Sequence, residues 1–70
     1  MNIEKAIIKE YADKPIKEIV DAPVWAIKGI SQSDAVLLEQ AFGVKTVGDF
    51  ANLKYFKWAQ AIVSLSEVEV

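Results

Sequence analysis

The run Ile27-Lys28-Gly29-Ile30-Ser31-Gln32-Ser33-Asp34-Ala35 limits this chain more than any other segment does. An apolar residue, a glycine and a second apolar residue lead straight into a helix start. Ser31 and Asp34 have the capping-box spacing, at which each side chain can satisfy the other residue's exposed backbone N–H. This is the pattern of a tight hairpin between two helices, with Gly29 supplying the backbone freedom that the turn needs.

The rest of the chain can be read outward from that hairpin. Ala35, Leu38, Ala41 and Phe42 share one face of the following helix, and Gly43-Val44 provides a left-handed stop with the apolar contact that often accompanies it. Thr46 and Asp49 repeat the capping spacing, opening a short helix through Phe50 and Ala51 that Asn52 closes. A last helix is expected over about Leu53 to Leu65. It is apolar on most of its circumference, with Lys54, Lys57, Gln60 or Ala61, and Ser64 as a narrow polar stripe. Such a helix is expected either at the centre of the core or with two buried faces.

Toward the N-terminus, Ile3, Ala6, Ile7 and Tyr11 recur at helical spacing opposite Asn2, Lys5, Lys9 and Asp13, predicting one amphipathic helix from Ile3 to Ala12. Pro15 is placed as the first residue of a second helix running to about Val20. Asp21-Ala22-Pro23 ends it, because a residue before proline is pushed out of the helical region. A short turn over Val24 to Ile27 then leads into the hairpin. A faint repeat joins the two halves: 14–22 aligns with 45–53 at an offset of 31 positions, implying two copies of one short-helix unit. No stretch alternates with a period of two. The expected fold is therefore all-α, a compact bundle of about five short helices preceded by the N-terminal amphipathic one, in a single small domain over 1–70.

Composition narrows the functions open to such a fold. A chain of 70 residues buries only about 60% of the surface it exposes when unfolded. Neither cysteine nor histidine is present, so no disulfide or ordinary structural zinc site can reinforce it. The hydrophobic share of 53% is above the roughly 45–50% of globular chains, an excess that can face a partner. Eight lysines, no arginine and ten acids leave a net charge of -2. The lysines form no basic stripe, and the surplus of acid lies in Glu67 and Glu69. The early charges Glu4 and Lys5 do not fit a signal peptide and no apolar run approaches a membrane span, so a soluble cytoplasmic protein is expected.

With the hairpin, the Gly43-Val44 stop and Thr46-Val47-Gly48-Asp49-Phe50-Ala51 taken together, the chain resembles helix-hairpin-helix domains, particularly the tandem five-helix form, over about 14–63. In members that bind DNA, the resemblance implies a hairpin that aims backbone N–H groups at a phosphate. Gly29 and Ile30 match that hairpin, whereas Ser31 replaces its second glycine, and Gln32-Ser33 stand where a DNA binder often offers lysine or arginine. A second hairpin, expected between Asn52 and Phe56, has no glycine.

The candidate sites each carry two readings. Lys28, Gly29, Ile30 and Ser31, with Lys45, Lys54 and Lys57, are the candidate phosphate or nucleic-acid contacts, yet Gly29 is equally required by the turn itself. Tyr55, Phe56 and Trp58, interleaved with Lys54 and Lys57, have the pattern of a stacking platform for single strands, and also that of a core helix with a lysine edge. Trp25 is either a core filler or, with Tyr55 and Trp58, part of a protein interface. Glu4, Glu10, Glu18 and Glu39 are expected on solvated faces. No catalytic, cofactor or metal residues are expected, nor a small-molecule substrate or a membrane. The expected function is a non-enzymatic interaction module for protein docking or self-association. The alternative is sequence-independent binding of a DNA or RNA backbone through the hairpin.

Overall fold

The computed structural model describes residues 3–69 and is all-α. Five helices, α1 (Lys9–Ala12), α2 (Ile16–Val20), α3 (Gln32–Phe42), α4 (Val47–Ala51) and α5 (Lys54–Ser66), are joined by short connections, with one 3-10 turn over Ile3–Lys5 ahead of α1 and another over Val24–Ala26 between α2 and α3. Asn2, expected on the polar side of the first helix, lies outside the described residues.

Two capping boxes set the starts of α3 and α4. The Asp34 N–H donates to Ser31 Oγ at 3.1 Å while the Ser31 N–H donates to Asp34 Oδ2 at 3.2 Å, and Thr46 and Asp49 form the same reciprocal pair at 3.0 and 3.2 Å. Gly43 ends α3 in the left-handed region at φ 70°, and the Val44 N–H reaches back to the Leu38 carbonyl. Pro15 stands just outside α2 as its cap, one position earlier than its expected place inside the helix.

The expected single helix from Ile3 to Ala12 is broken. Ile7 and Ile8 are extended instead, and residues 6–8 pair with the segment after Val24. Ile7 bridges Ile27, the Ile8 N–H donates to Ala26 O at 2.8 Å, and the Lys28 N–H donates to Ala6 O at 2.8 Å. Two consecutive β-branched residues favour this extended geometry, and pairing buries Ile7, which one continuous amphipathic helix would have to cover by other means.

A second pairing holds the two repeated units together. The Val24 N–H donates to Lys45 O and the Val47 N–H to Ala22 O, each at 3.0 Å, on either side of the Pro23–Thr46 bridge. The repeat survives in three dimensions: α2 and α4 have equal length, are related by the same offset, and lie against each other. Gly48 makes this approach tight. A Cβ there would stand 3.0 Å from Val20 Cγ1 and 3.2 Å from the Val20 carbonyl oxygen.

The core is small. It consists of Ile7, Ile19, Ala22, Val24, Ala26 and Val44, gathered around the segment that carries both pairings. Contrary to the expectation for the last helix, α5 is neither central nor buried on two faces: every one of its residues is exposed. Among the described residues, its ring contacts with the rest of the chain are at its first turn, where Phe56 meets Phe50 and Tyr55 meets Phe42 at centroid separations of 5.7 and 6.1 Å. The radius of gyration is 14.1 Å, against about 11 Å for a close-packed chain of this length.

Candidate interaction surface

The hairpin turns at Gly29, whose φ of 98° lies in the region that only glycine adopts easily. The two amides that follow Gly29 are already committed. The Ile30 N–H donates to Ile27 O at 3.2 Å, closing the turn, and the Ser31 N–H is held by the Asp34 carboxylate. That carboxylate sits at the start of α3, where an anion would otherwise be received, and Ser31 Oγ is further engaged with Ser33 Oγ at 3.0 Å. A phosphate at these amides would have to displace an acid of like charge.

The lysines expected to assist the hairpin have separate neighbours. Lys28 Nζ donates to the Glu4 carbonyl, Lys45 Nζ lies 3.8 Å from the Glu39 carboxylate, and Lys54 Nζ lies over the rings of Tyr55 and Trp58 at 5.1 and 5.6 Å. Lys57 is exposed on α5. Lys28, Lys45 and Lys54 each line a different cleft. The cleft at Lys28, of about 460 Å³, combines Lys5, Lys9 and Lys28 with Glu4 and Asp13, so its charges are mixed.

The aromatic residues fall into two groups. Trp25 is half-buried with its ring edge-on to Tyr11, 5.8 Å between centroids, inside the N-terminal half of the molecule. Tyr55 and Trp58 are 51% and 58% exposed, stacked edge to face on each other under the Lys54 ammonium. The structure thus separates Trp25 from the other two residues of the candidate interface. The reading of Tyr55, Phe56 and Trp58 as core residues is overturned, because all three stand 45–58% exposed.

What the structure gathers is an apolar surface. On α5, Tyr55, Trp58, Ile62 and Leu65 form one stripe at alternating spacings of three and four, and Phe56, Ala59 and Val63 form another beside it. Ile62 and Leu65 are about two-thirds exposed. The Tyr55–Phe42 contact continues this surface onto α3, where Val36 and Leu37 are also exposed, and a cleft of about 440 Å³ runs between Leu37, Leu38, Phe42 and Phe50. Reading the sequence for single side chains missed Val36, Leu37, Ile62, Val63 and Leu65. The signal that pointed to them was the excess of apolar positions around the last helix.

One titratable group is displaced. Asp49 accepts the backbone N–H groups of Lys45 and Thr46 at 3.1 and 3.2 Å, and these bonds hold its carboxyl below the ordinary carboxylate value, aided by the Thr46 hydroxyl and the Lys45 charge. Its role is to anchor the start of α4. Among the described residues no group of three or more acids converges as a metal ion would require, and no helix is long and apolar enough to cross a membrane. No protein-family model matches the chain, and comparison with curated proteins and with solved structures finds no match either.

Proposed function

We propose that the protein is a non-enzymatic interaction module that docks onto a protein surface through the apolar side of α5 and the adjoining end of α3. The observation that carries this reading is the inversion of burial along the chain: six apolar residues are buried, whereas Tyr55, Phe56, Trp58, Ile62, Val63 and Leu65 of one helix stand 45–67% exposed. A contiguous apolar surface on that scale marks an interaction site in a folded protein. The absence of histidine and cysteine from the sequence supports a role outside catalysis. The order of elements agrees with the helix-hairpin-helix arrangement that the sequence resembles, and we assign the chain to that architecture as part of the same proposal.

Binding of a nucleic-acid backbone is the weaker reading, because the Ile30 and Ser31 amides are satisfied internally and Lys28, Lys45 and Lys54 lie in separate clefts. A photo-crosslinking residue placed at Ile62, with Lys17 as the control position on an exposed helix elsewhere, tests the docking reading in the cell that makes the protein. Protein adducts at position 62 that are absent at position 17 are expected. Equal yields at the two positions, or nucleic acid as the only adduct, would overturn it.

A further inference from the structure

The charges of α5 oppose the helix that carries them. Lys54 and Lys57 occupy its first turn, at the positive end of the backbone dipole, whereas Glu67 caps its negative end and Glu69 follows. Its first turn holds no acid, its last turn holds no base, and its capping residue Leu53 offers no side-chain bond. A helix of 13 residues with these defects and no buried residue is marginal by itself. The same placement becomes favourable beside an antiparallel copy, where the lysine end of one helix meets the glutamate end of the other twice over. Parallel pairing would instead set like charges against each other at both ends.

Resting on the docking reading above, we infer that the occupant of this surface is a second copy of the chain, with the two α5 helices packed antiparallel about a two-fold axis beside Ala61 and Ile62. This register sets Trp58 against the partner's Leu65, Tyr55 against the partner's Val68 and Lys54 against the partner's Glu69. The Tyr55, Trp58, Ile62, Leu65 stripe has the alternating spacing that lets two helices interlock side by side. A two-fold pair is self-complementary, as one helix that holds both halves of the charge pattern requires. The exposed aromatic and aliphatic side chains of α5 offer roughly 600 Å² per copy, which with the surrounding rim approaches the ~800 Å² per partner of a stable interface.

Sedimentation of the full chain across a concentration series tests the inference. The wild type is expected to dimerise, and Ile62→Glu, which alters a side chain 67% exposed in the single chain, is expected to give a folded monomer. The double variant Glu67→Lys/Glu69→Lys relieves the clash of α5 with its own dipole yet places lysine against lysine in the antiparallel pair, so its dimer should be about tenfold weaker. Adding Lys54→Glu/Lys57→Glu to that variant reverses both ends and should restore the affinity. A wild type that stays monomeric up to millimolar concentration, a dimer indifferent to Ile62→Glu, or charge reversals without effect, as a parallel pair would show, overturns the inference. Should the purified chain be monomeric while a crosslinker at Ile62 captures a different protein, the self-pairing falls and the docking reading stands.

Discussion

Asp49 is bound by its neighbours more tightly than its counterpart Asp34, receiving two backbone N–H groups where Asp34 receives one. With its folded pKa held below the ordinary aspartate value, it contributes stability that is fully present above about pH 4 and is lost as the pH falls through the lowered value. Thermal unfolding followed by circular dichroism between pH 5 and pH 2 should therefore show a loss in the wild type that Asp49→Asn reduces. Residue-scale features of this kind were legible in the sequence. Ser31 with Asp34, Thr46 with Asp49 and the Gly43 stop each depend on residues within a few positions of one another, so spacing alone identifies them.

From α2 onward the elements were legible in their bounds, and less so in their surroundings. The break between the first 3-10 turn and α1 depends on Ala26, Ile27 and Lys28, some twenty positions away, and a local apolar period cannot report such a partner. The exposure of α5 was illegible for a related reason. An apolar face looks the same in the sequence whether its own chain covers it or another does. The α2–α4 contact, by contrast, was foreshadowed by the repeat, and Gly48 is where it can be tested. Gly48→Ala should raise helix propensity by about 1 kcal/mol. The new methyl would nevertheless stand 3.2 Å from a backbone oxygen that cannot rotate aside. A net destabilisation of about 1 kcal/mol is expected, seen as a lower urea midpoint with an unchanged slope.

For the molecule as a whole, the stabilising burial is concentrated in very few side chains. Val24 and Val44 are the largest that are fully enclosed. Val44→Ala should cost about 2 kcal/mol, a large share of the roughly 3–5 kcal/mol available to so small a core, and urea unfolding will measure it. Because association stabilises only the folded form, the melting temperature of the wild type should rise with protein concentration, whereas that of Ile62→Glu should not. Calorimetry over a hundredfold dilution range would show the contrast.

The segment from Ala22 to Lys28 is gripped at opposite ends by different stretches of chain, the loop before α4 at one end and residues 6–8 at the other. The two grips need not release together. Releasing the N-terminal stretch would cost two backbone hydrogen bonds, the Lys28–Glu4 bond and the Tyr11–Trp25 contact, and would bare Ala26 and Ile27, while the fastening between the repeated halves would lose none of its own bonds.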